Sequence, residues 1–140
     1  MGQTLERAAE EAQTLRHPSI LPEHLLLGIL GVPDSVGAKA LTALGVDAES
    51  VRQVLLTHHA PGTEPVDLPL GMSPETKRVM ELARSEPQKL NHSYLGTEHL
   101  VLALSVTTGP SEMLEKLGVT PELLQRQVNT ILGARQLLGP

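Results

Sequence analysis

The sequence predicts an all-α fold of eight helices, arranged as two pseudo-symmetric four-helix repeats. Three observations carry that expectation. First, one segment is written twice. Leu15-Arg16-His17-Pro18-Ser19-Ile20-Leu21-Pro22-Glu23-His24-Leu25-Leu26-Leu27 returns as Leu90-Asn91-His92-Ser93-Tyr94-Leu95-Gly96-Thr97-Glu98-His99-Leu100-Val101-Leu102 at an offset of 75, and Ala40-Leu41-Thr42-Ala43-Leu44-Gly45-Val46 returns as Met113-Leu114-Glu115-Lys116-Leu117-Gly118-Val119 at an offset of 73. Second, the chain has one Tyr and no Phe or Trp, so its core is aliphatic, without the aromatic and β-branched runs that build sheets. Third, residues 60–72 hold three prolines and two glycines and read as a linker between repeat one, 3–59, and repeat two, 73–133. A period near 75 exceeds the ~20–50 residues of a stacked solenoid unit, so it points to a duplicated half-domain. The two-residue slip falls where loops absorb length cheaply. The whole chain, 1–140, reads as one domain.

Each helix has its own sequence reason. Leu5, Ala8, Ala9, Ala12 and Leu15 recur at helical spacing, which predicts a first helix over 3–16, ended at His17-Pro18 because the residue before a proline avoids the α region. A second helix runs from Pro22 to Leu30, with Pro at its first turn. Asp34 or Ser35 caps the third, which stops at Leu44-Gly45-Val46 in a Schellman pattern. Asp47 caps the fourth, through about Leu56. Ser73-Pro74-Glu75 starts the fifth, and Pro87 is expected to kink or end it. Thr97 is expected to cap the sixth, Glu98 to about Ser105. The seventh runs from Pro110 to Leu117 and stops at Gly118; Thr120-Pro121-Glu122 starts the eighth.

Composition narrows the function. Eleven Lys+Arg against sixteen Asp+Glu gives a net charge of −5, the wrong sign for a phosphate backbone, and one aromatic offers no stacking platform for bases. The absence of cysteine removes disulfides, thiol catalysis and Cys-based zinc sites. No stretch approaches the ~20 apolar residues of a membrane span. The N-terminus lacks an apolar signal core, so the expectation is a cytoplasmic protein. No Gly-x-x-x-x-Gly-Lys-Ser/Thr phosphate loop, Gly-x-Ser-x-Gly elbow or His-Glu-x-x-His motif occurs, so neither an enzyme nor a metal or cofactor site is expected.

The repeated unit resembles a known family. His92-Ser93-Tyr94-Leu95-Gly96-Thr97-Glu98-His99-Leu100-Val101-Leu102-Ala103-Leu104 is similar to the "HNYIGTEHILLGL" block of Clp N-terminal domains. So are Ala8-Ala9-Glu10-Glu11-Ala12, Ser73-Pro74-Glu75-Thr76-Lys77-Arg78-Val79-Met80-Glu81 and both Leu-Gly-Val turns, and the likeness covers residues 4–133, nearest to the N-terminal domains of ClpC-type unfoldases. The resemblance implies a non-catalytic domain that receives substrates and adaptor proteins for an ATP-driven unfoldase ring. In that family some members recognise phosphoarginine as a degradation mark, and cyclic peptide antibiotics bind the domain in actinobacterial relatives. The implied function is a substrate- or adaptor-binding domain of the Clp unfoldase-protease system, one that recognises phosphoarginine-marked proteins or regulates a full Clp ATPase in trans. The alternative is a stand-alone protein that sequesters Clp-targeting cyclic peptides. The implied partners are Clp unfoldase subunits, adaptors and substrates, with no nucleic acid and no membrane. The departures from the family pattern point to a free-standing paralogue.

The resemblance also carries residues. The Thr-Glu of the "GTEH" motif helps form each phosphoarginine pocket, which here places Thr97 and Glu98 in the second pocket and Glu23 in the first, where Pro22 stands in place of Thr. A planar guanidinium suits a carboxylate, and an anion suits a helix start. The plain alternative is that both acids only complement a helix dipole, a contribution of ~0.3–1 kcal/mol. His24 and His99 are expected to bond across a helix interface, His17 and His92 to cap a helix or bond a loop carbonyl, and His58-His59 to sit at a helix end. Met72 and Met80 are groove candidates against a reading as core or linker packing. The groove between the copies, edged by the linker, is the expected ligand surface.

Overall fold

A computed structural model describes residues 1–89 and 95–137. Among the described residues there are eight helices: α1 Gly2–Thr14, α2 Pro22–Leu30, α3 Val36–Ala43, α4 Ala48–His58, α5 Pro74–Lys89, α6 Thr97–Ser105, α7 Pro110–Lys116 and α8 Pro121–Leu137. The two halves, α1–α4 and α5–α8, pack in matching ways. α1 lies along α2 as α5 lies along α6; α3 packs on α6 and α8, as α7 packs on α2 and α4. α2 and α6 meet at the centre. They are the most apolar helices, and every residue from Pro22 to Ile29 and from Thr97 to Ser105 is buried.

The predicted stops and caps appear where the chemistry puts them. Gly45 and Gly118 both take φ +84, which only glycine adopts cheaply. Val46 N–H then donates to Leu41 O at 3.0 Å and Val119 N–H to Leu114 O at 2.8 Å, the Schellman closure in both halves. Ser35 Oγ accepts from Ala38 N–H at 3.3 Å, Asp47 Oδ1 from Ser50 N–H at 2.7 Å, and Ser73 Oγ from Thr76 N–H at 3.2 Å. α4 is also clamped to α1, where Arg52 reaches both carboxylate oxygens of Glu11 at 2.7 and 3.2 Å. That pairing raises the Arg52 guanidinium pKa further.

Three expectations are corrected. α1 ends at Thr14, not at residue 16, because Arg16 turns left-handed at φ 57 and His17 N–H closes onto Ala12 O at 2.9 Å. α5 runs to Lys89, past Pro87. The proline removes one hydrogen bond, to the carbonyl four residues back, and the helix closes two residues after it. The third concerns Thr97 and belongs to the site. Residues 60–72 are also fastened to the α1–α2 connection. Gly62 N–H donates to Leu15 O at 2.9 Å, Ile20 N–H to Gly71 O at 2.9 Å and Ser73 N–H to Ile20 O at 3.1 Å, with an isolated parallel bridge between Ile20 and Met72.

Candidate functional site

The starts of α2 and α6 repeat one device. His24 and His99 occupy the third helical position, where Glu or Gln stands in a capping box. His24 Nδ1 accepts the Leu21 backbone N–H at 2.8 Å, and His99 Nδ1 accepts that of Gly96 at 2.8 Å. Both rings are fully buried. Each thereby closes the start of its own helix with Nδ1, and His24 uses Nε2 to reach His17 on the α1–α2 connection. His92 lies outside the described residues.

In the first half the ring nitrogens form a relay with fixed roles. Since His24 Nδ1 accepts, its Nε2–H donates to His17 Nδ1 at 2.9 Å, and His17 Nε2–H donates to the Ala60 carbonyl at 3.1 Å. The ring centres of His17 and His24 are 5.0 Å apart. A proton on His24 Nδ1 would face the Leu21 N–H and break the chain. Burial, then the nearby His17 and His59, lower the His24 pKa to about 4. His17 thus bonds a loop carbonyl, as expected, and links the linker to the helix start.

Immediately before these histidines stand the two candidate acids, at the second helical position. Both are buried: Glu23 is 7% exposed and Glu98 3%. Glu23 borders a cleft of about 190 Å³ lined by Glu23, His58, His59, Gly109, Glu112 and Met113. The cleft opens between the two halves, with α2 and the end of α4 on one side and the start of α7 on the other. Its edge is not the 60–72 linker. Gly109 takes φ +99 and lets the α7 turn approach, since a Cβ there would stand 3.2 Å from Glu23 Oε1. His59 Nε2 lies 3.0 Å from Glu23 Oε2. Beside it on the end of α4, His58 Nε2 meets Lys116 Nζ of α7 at 2.9 Å. The sequence placed His58-His59 at a helix end, where they are, but gave no sign that His59 meets Glu23.

Thr97 does not cap its own helix. Gly96 holds the N-cap position, and Thr97 Oγ1 accepts the buried Gly37 N–H at the start of α3, 2.8 Å away. The matching pair in the other half is Pro22 and Pro110, by the offsets of 75 and 73. One proline lacks the hydroxyl and the other lacks the N–H, so the acceptor and the donor disappear together and no polar group is left unpaired there. Pro22 is thus matched to its surroundings. Thr97→Val is expected to cost about 2 kcal/mol, since Gly37 N–H would be buried without a partner, while Thr97→Ser costs much less. Urea unfolding of the two variants checks this; equal stabilities would contradict it.

Met80 is 5% exposed within the core, and Met72 is partly buried beside its bridge to Ile20. Neither lines the Glu23 cleft, nor a second, shallower one of about 400 Å³ between Arg16, Pro18 and residues 62–67. Among the described residues no group of three or more His, Asp or Glu is placed to hold a metal ion, and no helix is long and apolar enough to cross a membrane.

What the arrangement offers is a place to bind. A buried carboxylate opens on a small cleft at a fixed helix start, and a neutral imidazole relay behind it holds the backbone in place.

Comparison with known proteins agrees with this build. The family model of the Clp repeat (R) N-terminal domain matches residues 1–111. The "Negative regulator of genetic competence ClpC/MecB" of Bacillus subtilis is 36% identical over 135 residues, 94% of this chain and 16% of that protein. This chain therefore spans about a sixth of that relative's length. The N-terminal domain of Hsp104 from Candida albicans has a similar fold, with a TM-score of 0.73 at 17% identity over 94% of this chain and 87% of that one. So does the ClpV N-domain solved in complex with a VipB peptide, with a TM-score of 0.68 at 23% identity over 93% of this chain and 82% of that one. The chain belongs to the Clp repeat (R) N-terminal domain family.

Proposed function

We propose that this chain is a non-catalytic docking domain of a Clp unfoldase system. It captures substrate or adaptor segments, phosphoarginine-marked ones among them, at the starts of α2 and α6. The observation that carries the reading is the duplicated buried acid, Glu23 and Glu98, of which Glu23 stands on the wall of a cleft between the halves. A guanidinium presents a planar fork of donors, and a carboxylate held at a rigid helix start accepts it with little entropy loss. The peptide complex of the ClpV N-domain supports the same class of partner for this fold. Thr97 serves this site by positioning: its hydroxyl fixes α3 against α6 beside Glu98. Regulation of a full Clp ATPase in trans follows if the domain also docks on unfoldase subunits.

The test is fluorescence anisotropy of one peptide in two forms, with phosphoarginine or with plain arginine. The marked form should bind at two sites, Glu23→Ala and Glu98→Ala should each remove one of them, and the double variant should weaken binding about tenfold or more, the loss of a charge-assisted hydrogen bond. Equal binding of both forms by all four proteins would remove phosphoarginine from the reading and leave general adaptor docking. A cyclic peptide binding tightly in the same assay while both linear forms fail would shift the function to sequestration.

A further inference from the structure

The two halves are not equivalent at the mouth of the cleft. His59, one residue past α4, holds its Nε2 3.0 Å from Glu23 Oε2. The Glu23 side chain is 9% exposed and that of His59 42%, so the imidazole is the solvent-side cover of a buried carboxylate. At the offset of 73, the matching residue of the second half is Leu132, which cannot take up a proton.

The charges around this pair come from every element that packs there. His17, on the α1–α2 connection, has its ring centre 6.3 Å from that of His59. His24 of α2 lies behind His17. His58 of α4 and Lys116 of α7 meet across the cleft, and Glu112 of α7 lines it. With the histidines uncharged, the cleft lining presents two carboxylates, Glu23 and Glu112, and the nearby ammonium of Lys116 stands against His58. As the pH falls, His59 and His58 can only add positive charge, and a protonated His59 forms a charge-assisted bond to Glu23 in place of a neutral one.

We infer that His59 is a proton-operated gate on this cleft: a cationic side chain of a partner protein reaches Glu23 only by displacing the imidazole, so the first half releases its partner as the pH falls, while Leu132 puts no imidazole at the matching position of the second half. The inference rests on the docking reading above and adds its regulation. His59 is a specificity residue that acts by competition. A partner's guanidinium and the proton on His59 seek the same carboxylate, so each weakens the other's binding by the same factor.

The experiment uses N-acetylarginine amide, whose charge is constant across the range, titrated into the isotope-labelled chain at about pH 8 and about pH 6, on either side of imidazole titration. Amide shifts at Gly109 and Glu112 report occupancy of the cleft. The wild type should bind roughly fivefold or more weakly at the lower pH, within the usual range of couplings. His59→Ala should bind nearly equally at both, and more tightly than the wild type at the lower. His59→Asn, which cannot take up a proton, should behave like His59→Ala and serves in its place if the alanine variant folds poorly. The same pH dependence in wild type and variants would overturn the gate while leaving the site. No shifts at either pH would overturn it too, and the marked-peptide affinities would then decide the docking reading separately.

Discussion

Replacing Gly28 by alanine is expected to destabilise the domain by about 3 kcal/mol, at the upper end of overpacking effects. Gly28 lies in α2 where α1 crosses closest. A methyl group there would overlap the Thr4 carbonyl oxygen and stand 3.1 Å from Ala8 Cβ. Because a backbone oxygen cannot rotate away, the two helices must separate, and α2 carries the acid and the histidine of the site. Gly133 in α8 is the control: a Cβ there meets nothing within 4 Å. Gly133→Ala should stabilise by up to ~1 kcal/mol, the helix-propensity gain alone. Urea unfolding of the two variants reads opposite signs; a Gly28→Ala protein as stable as the wild type would show that α1 and α2 are not this close.

Mild acid should unlock the first half through His24. Its folded pKa is lowered to about 4 from an ordinary 6.5 by burial and by its neighbours His17 and His59. The unfolded chain therefore takes up this proton before the folded one. The contribution is complete above pH ~6.5, declines as the pH falls from there, and is lost below about 4, amounting to roughly 3 kcal/mol at 1.36 kcal/mol per pKa unit. His24→Gln isolates it, since glutamine is the natural capping-box acceptor for the Leu21 N–H and has no proton to gain. The stability of the wild type relative to His24→Gln should fall by about that amount between pH 7 and 4. Parallel curves for the two proteins would mean that the relay from Leu21 to Ala60 does not hold the ring neutral.

Local chemistry was legible in the sequence, and long-range contact was not. The existence of the eight helices, both Schellman stops and the caps at Asp47 and Ser73 depend on nearby residues and appear as read, with Ser35 rather than Asp34 capping the third helix and the ends of α1 and α5 shifted. Thr97 was misplaced as a cap because its real partner, Gly37, is 60 residues away. The same distance hid the reason for Pro22, which becomes clear only when Pro110 is set beside it. Pro87 looked like a helix end because it lacks the N–H for one helical bond, a local loss that α5 carries for two further residues, to Lys89. The candidate acids came from a resemblance, and position two of a helix is also where any acid sits well. That Glu23 has a cleft before it and an imidazole on it required the fold, since α2, α4 and α7 supply the walls from three places in the chain.

The claim at the centre is that the start of α2 and the start of α6 are ligand subsites as well as buried helix ends. Amide shifts on titrating free phosphoarginine into the labelled chain test it directly, with Glu23→Gln and Glu98→Gln alongside. The expected result is two saturable sets of shifts, one around Glu23, His59 and Gly109 and one around Thr97 and Glu98, each lost in its own variant and kept in the other. Spectra unchanged to saturating ligand, with both variants folded, would contradict it and leave Glu23 and Glu98 as acids that only secure their helices.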